Sequence, residues 1–236
     1  MNEKPTHLDL FSGIGGFSLA FEAEGFQTIG FAEIDIYASA VLRKHWPHVP
    51  NYGDARTMRG IACDVLTAGV PCQPSSRAGK QAGKSDSRWL WPEAIRLLSE
   101  SSPSVALFEN PVGILDLQSG VIIEEILHSV ESNGYEVLPP VEIPTLAVDG
   151  EIERARIYFM AVSNNFEIRP LRRTMGRGRR QLQQVSKIGI WEDEDSPLGM
   201  GVSSRIPERL DRLASLGNSV DPRVAQIFAR AIRQLI

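Results

Sequence analysis

The feature that most constrains this chain is an alternation across residues 6–163, where short apolar runs trade with stretches whose apolar residues recur every three or four positions. Runs of the first kind fit buried strands and stretches of the second fit amphipathic helices; together they predict a mostly parallel sheet with helices on its faces. Residues 6–11 read as a strand and 14–26 as the helix after it. Residues 27–34 and 36–46 repeat the pair, with Asp35 as the helix N-cap. The run 63–70 is a further strand, 90–100 a helix, 104–110 a strand, and 122–134 a helix that stops at Asn133-Gly134. Segments 135–143 and 155–163 follow one another with only a turn-rich link, which predicts an antiparallel hairpin at the sheet edge. Near the end, Asp221-Pro222 offers an N-cap and a first-turn proline for a closing helix.

A chain of 236 residues has room for one full domain and a fragment of a second. No apolar run approaches the roughly 20 residues of a membrane helix, and the first ten residues lack a basic segment followed by an apolar one. A soluble, cytoplasmic protein without a membrane contact is expected. Two cysteines, Cys63 and Cys72, cannot build a disulfide framework or a four-thiolate zinc site, and the four histidines are scattered, so no metal is expected. The formal charge of −4 discourages a nucleic-acid partner only on average. Residues 164–190 hold seven basic side chains against Glu167 alone, a local +6 that leaves −10 for the remainder. Such a run is either a solvated face or a contact for phosphates.

The first strand ends in Asp9-Leu10-Phe11-Ser12-Gly13-Ile14-Gly15-Gly16 and runs straight into a helix. Glycines at a strand-to-helix turn let backbone approach a ligand closely, at the carboxyl edge where open parallel sheets bind ligands. The spacing is not Gly-x-Gly-x-x-Gly, because position 18 is serine, and no Gly-Lys-Ser/Thr is present to hold a triphosphate. Glu33, after the second strand, can accept from both hydroxyls of a ribose, and Asp54 from an exocyclic amine. These groups fit a nucleoside ligand with little phosphate, or else a tight turn with two solvated carboxylates. Cys63 reads as a small core residue. Cys72, bracketed by Pro71 and Pro74 at the mouth of a polar loop, reads as an available thiol whose thiolate nearby Arg and Lys would favour. Glu109 follows four apolar positions and could be held desolvated with a proton, or serve as a turn carboxylate. Arg154 and Arg156 fall on one face of the last strand, as site groups or as exposed edge charges.

Asp9-Leu10-Phe11-Ser12-Gly13-x-Gly15-Gly16, Pro71-Cys72-Gln73, Glu109-Asn110, Arg154-x-Arg156 and Gly217-Asn218-Ser219-Val220, in this order, resemble the motif set of the S-adenosylmethionine-dependent DNA (cytosine-5-)-methyltransferases. The resemblance implies a Rossmann-like sheet, mostly parallel with an antiparallel edge hairpin, carrying a small irregular insert. Residues 1–163 would be the catalytic and cofactor-binding domain, 164–211 a reduced target-recognition region, and 212–236 a segment and helix returning to the first domain. It also implies that Cys72 attacks carbon 6 of a flipped cytosine while Glu109 manages the proton at N3 and Arg154 and Arg156 hold the base. The cofactor S-adenosyl-L-methionine would place its adenine near Phe11 and Asp54 and its ribose on Glu33. Its methionine part would follow Gly13, Ile14, Gly15 and Gly16, with Pro74, Leu90, Asn218 and Val220 as further contacts. Double-stranded DNA would meet Gln73, Arg77, Lys80, Lys84 and Arg88 on the loop, and Arg172, Arg173, Arg177, Arg179 and Arg180 on a second basic wall.

Several positions depart from the family pattern. Ser75 and Ser76 stand where an aromatic is usual, Pro111 where valine is usual, and Ile152 where glutamine is usual. None removes a group that does chemistry. The short insert implies recognition that is compact, relaxed or shared with a partner, on a chain otherwise expected to be a monomer. A related branch that methylates transfer RNA tends to carry a second proline before Pro-Cys, where this chain has Val70. A non-catalytic binding homologue would have lost Cys72 or Glu109, and both are present.

Overall fold

The computed structural model describes residues 3–71, 89–144, 155–166 and 219–236. Strand β1 (Thr6–Leu10) leads into helix α1 (Gly16–Ala23), and β2 (Gln27–Ala32) into α2 (Ile36–His45). Strand β3 (Val65–Gly69), helix α3 (Trp91–Ser101) and strand β4 (Val105–Pro111) follow, then a 3-10 segment (Val112–Gly120) that the sequence pattern did not reveal. Helix α4 (Val121–Ser132), strands β5 (Tyr135–Val137), β6 (Val141–Pro144) and β7 (Ala155–Ser163), and helix α5 (Pro222–Leu235) complete the described elements. Both foreseen caps form: Asp35 accepts from the Ala38 N–H at 2.8 Å, and Asp221 from the Arg223 N–H at 2.9 Å. Helix α4 ends where Gly134 takes a left-handed φ of 86°.

The strands order as β2-β1-β3-β4-β7-β5, with β6 also paired to β7. Strands β1 to β4 are parallel, and β7 runs antiparallel to β4, β5 and β6. Chain order reverses at β1, which sends the chain outward to β2 and then back across to β3. That switch point opens a crevice at the carboxyl ends of β1 and β3. The antiparallel hairpin expected at the edge is present, and the structure adds that β7 itself lies inside the sheet. Its nine residues pair along β4 from Val105↔Val162 to Pro111↔Arg156, while β5 and β6 share its other side. Pro139-Pro140 separates those two short strands, because proline cannot donate to a ladder.

The two-residue period of the strands sorts side chains onto two faces. Leu8, Leu10, Leu66, Ala68, Phe108 and Phe159 pack against Trp91, Leu97, Ile122 and Ile126 of α3 and α4. Val65, Val105, Leu107 and Tyr158 pack against Phe17 and Phe21 of α1 and Val224, Ala225 and Ile232 of α5. Helix α5 is clasped to α1 by Glu24, whose Oε1 accepts from Gln226 Nε2 and Arg230 Nη2, each at 2.8 Å. The last helix therefore brings residues 219 and 220 back beside the first strand. Among the described residues no helix is long and apolar enough to cross a membrane, and no cluster of His, Cys, Asp and Glu could hold a metal ion.

Candidate active site

Between β1 and α1 the backbone takes left-handed φ at alternate residues: Phe11 at 53°, Gly13 at 53° and Gly15 at 89°. Glycine accepts this freely, whereas at Phe11 it costs about 1–2 kcal/mol, so surrounding contacts must hold that residue in place. A Cβ on Gly16 would lie 2.3 Å from the Val220 carbonyl oxygen, and one on Gly15 2.6 Å from the Trp46 ring. The turn is thus seated between α2 and the returning C-terminal segment. A Cβ on Gly13 would meet nothing within 4 Å, so the turn is open to a ligand there. Ile14, between these glycines, is buried and belongs to the seat of the turn.

Glu33, just past β2, reaches back to this turn. Its Oε2 accepts from the Gly13 N–H at 2.7 Å and its Oε1 from the Asp35 N–H at 2.7 Å. Burial pushes its carboxyl above the ordinary value while these two N–H bonds pull it down. Each oxygen keeps a second lone pair, which is the acceptor capacity a ribose diol requires. Beside it Ile34 is 61% exposed, an apolar side chain without a buried face. In the sequence Ile34 closes an apolar run that looks like strand, so its exposure is not evident there. An isoleucine directly after a strand-end carboxylate was the available signal, since beyond Ala32 alternation no longer buries it.

Asp54 sits on the turn after Asn51, which bridges to Phe31. Its carboxylate is engaged with Arg56, whose Nη2 stands 2.8 Å from Oδ2, and this partner holds it below the usual carboxylate range. Leu90 occupies the N-cap of α3, half-buried against the larger core cluster.

On the other side of the crevice Glu109 is 5% exposed, and its Oε1 pairs with Arg156 Nε at 2.9 Å. Asn110, fully buried, donates from Nδ2 to the Glu109 carbonyl. Strand β7 delivers Arg156 directly across from Pro111. Gly69, at the end of β3, is where the two sides meet. A Cβ placed there would lie 3.6 Å from Val220 Cγ2, 3.7 Å from Glu109 Oε2 and 3.8 Å from the Phe11 carbonyl oxygen. The structure therefore converges Phe11, Glu109 and Val220 on one point at the mouth of β3. Cys63 precedes β3 rather than lying in it; burial, then the Asp64 charge, pushes its thiol up to about 12, as befits an inert packing residue. Cys72, Gln73, Pro74, Arg77, Lys80, Lys84, Arg88, Arg154, Asn218 and the arginines of residues 172–180 lie outside the described residues.

The family model for C-5 cytosine-specific DNA methylases matches residues 6–195, a span that includes the glycine turn, the Gly69 mouth and the Glu109–Arg156 pair. This chain belongs to that family. Among curated members it is 43% identical to the type II methyltransferase M.HgiCII of Herpetosiphon aurantiacus over 135 residues, which is 55% of this chain and 31% of the relative. To M.NgoMIV of Neisseria gonorrhoeae it is 36% identical over 166 residues, 68% of this chain and 53% of the relative. The chain thus spans between 31% and 53% of the length of these two relatives. A solved DNA modification methyltransferase encoded within an E. coli prophage superposes with a TM-score of 0.60 at 26% identity, covering 70% of this chain and 49% of that one. A variant of Spodoptera frugiperda DNMT2 shares the fold at 21% identity, with a TM-score of 0.55 over 73% of this chain and 54% of that one. The family's methyltransferase sheet is the α/β architecture described above.

Proposed function

We propose that this chain transfers a methyl group from S-adenosylmethionine to carbon 5 of cytosine in double-stranded DNA. The observation that carries the reading is the convergence at Gly69, where a buried carboxylate paired to an arginine stands beside the open glycine turn. Carbon 5 of cytosine is too weak a nucleophile to accept a methyl group unaided. Addition of the Cys72 thiolate to carbon 6 forms a C–S bond and pushes the ring electrons toward N3, which activates carbon 5. Glu109, held by Arg156, keeps a proton at N3 as that density arrives, and Arg154 assists at the base. Once carbon 5 has taken the methyl group, a base removes its proton, which restores the C5–C6 double bond, breaks the C–S bond and expels Cys72 as the thiolate.

The residues present fit a nucleoside donor. Glu33 offers lone pairs for the ribose, the space above Gly13 is open, and exposed Ile34 offers an apolar surface to a flat base. The bound cofactor supplies the activated methyl. A cytosine stacked in a duplex cannot reach this crevice, so the base is flipped; the basic side chains of residues 77–88 and 172–180 serve as phosphate contacts. Residues 164–211 form the short recognition region in this reading.

Incubation with DNA and labelled S-adenosylmethionine tests the proposal. The intact chain is expected to label cytosine, Cys72→Ala to abolish labelling, and Glu109→Gln to slow it by about 10²–10⁴-fold. Label in transfer RNA but not in DNA would overturn the substrate. No label in either would overturn the activity.

A further inference from the structure

Four polar side chains that the chemistry above does not use lie fully buried on the α1 face of the sheet: His7, Asp9, Thr67 and Ser18. They form one continuous chain. Thr67 Oγ1 donates to Asp9 Oδ1 at 2.9 Å, and Ser18 Oγ donates to Asp9 Oδ2 at 2.8 Å. With its one proton committed to Asp9, the Thr67 hydroxyl accepts from His7 Nε2 at 2.8 Å, and the His7 ring stacks on Phe21 with centroids 4.5 Å apart. Polar groups at such depth cost free energy unless satisfied, so a bare packing role would be met better by apolar residues.

The connectivity shows what the chain holds. Asp9 is the second-last residue of β1 and Ser18 the third of α1, so their bond is a chord across the turn that contains Phe11, Gly13 and Gly15. Helix α1 begins at Gly15, an N-cap with no side chain to satisfy its first N–H groups. Asp9 holds that first turn from outside the helix through the Ser18 hydroxyl. Inside the chord, Ser12 Oγ donates to the Asp9 carbonyl at 2.6 Å and Gly15 N–H donates to the Ser12 carbonyl at 2.9 Å. Thr67 ties the same carboxyl to β3, two residues before Gly69.

We infer that the buried chain His7–Thr67–Asp9–Ser18 is a positioning device, which locks the glycine turn in its left-handed form and sets its height against the end of β3. It thereby governs how tightly the methyl donor is held rather than how fast the methyl moves. The inference rests on the methyl-donor reading of the turn, and its test separates the two.

Ser18→Ala, Thr67→Val and Asp9→Asn are made in the full chain. Hydrogen exchange of the Gly13 and Gly15 amides is followed without ligand, S-adenosylhomocysteine binding is measured by calorimetry, and KM and kcat are measured where activity is present. Ser18→Ala and Thr67→Val are expected to speed exchange at the turn and to weaken binding about tenfold, with kcat within about twofold of the parent. Asp9→Asn can still bridge both hydroxyls with reoriented protons and is expected to recover most of the affinity. Ile126→Val, on the opposite face, should lower the melting temperature without moving the exchange at the turn. Unchanged turn exchange in both Ser18→Ala and Thr67→Val would overturn the positioning role, whether or not the ligand binds. An intact chain that fails to bind S-adenosylhomocysteine would overturn the methyl-donor reading, while the exchange rates still judge the device.

Discussion

The two faces of one sheet are built by the same strands to different rules. On the α3/α4 face the core is centred on the apolar rings of Trp91, Phe108 and Phe159, whose centroids lie 5.0–5.8 Å apart, and buried Asn110 follows at the end of β4. On the α1/α5 face His7, Asp9 and Thr67 interrupt the apolar lining directly beneath the glycine turn. The dry face secures stability through area and close packing, which are indifferent to direction. The polar face gives up some of that stabilisation for hydrogen bonds, which fix direction and hold a strained turn in one geometry. Polarity sits where position matters.

The contrast can be broken in several ways. Phe159→Ala on the dry face should cost about 3–5 kcal/mol in urea unfolding, and the variant's stability should keep the parent's dependence on pH. Gly16→Ala should cost about 1–3 kcal/mol and abolish S-adenosylhomocysteine binding, because its Cβ meets the Val220 backbone rather than a side chain that can move. Calorimetry with parallel thermal melts would show both effects. Thr67→Val should cost about 1–3 kcal/mol in the same unfolding assay, by leaving His7 Nε2 and Asp9 Oδ1 short of a partner at constant volume.

The pH response sharpens the comparison further. Burial raises the Asp9 carboxyl to about 7 and lowers the His7 ring to about 3. Asp9 holds a proton in the folded state that the unfolded chain has released, so its contribution to stability falls as pH rises from about 4 to 7. His7 stays neutral when folded, so its contribution falls as pH drops from about 6.5 to 3. Between about pH 4 and 6.5 the two oppose one another. Relative to the parent, Asp9→Asn should gain stability as pH rises from about 4 to 7, and His7→Gln as pH falls below about 6.5. Urea titrations from pH 4 to 8 would check this; differences flat across the range would mean that neither group is held as described. The smallest effect belongs to the partly exposed clasp: Arg230→Ala should cost no more than about 1 kcal/mol.

Much of this arrangement was legible in advance where it depends on neighbours in the chain. Asp35 and Asp221 cap their helices because the N–H groups they satisfy lie two or three residues away. The carboxylate proposed to act at the base was legible as a polar residue closing an apolar strand, and Glu109 lies at that edge. Less was legible where partners are distant. Ile34 looked like strand because its exposure depends on where pairing with β1 ends. The place of β7 inside the sheet depends on a pairing with β4 that no local pattern encodes. His7 read only as one of four scattered histidines, since Thr67, which gives it a role, is sixty residues on.

By itself the sequence determined the strand and helix periods, the caps, the turn glycines and the ordered motifs that mark the family, all of which follow from spacing along the backbone. The family resemblance implied that the C-terminal segment returns to the first domain and that the arginines stand near Glu109; tertiary structure alone decided that Val220 packs on Gly16, that β7 pairs along β4 to bring Arg156 Nε to Glu109 Oε1, and that a buried polar chain runs beneath the turn. These are meetings between residues distant in sequence, and only the crossing of strands at the switch point and the packing of α5 on α1 bring them within hydrogen-bonding range.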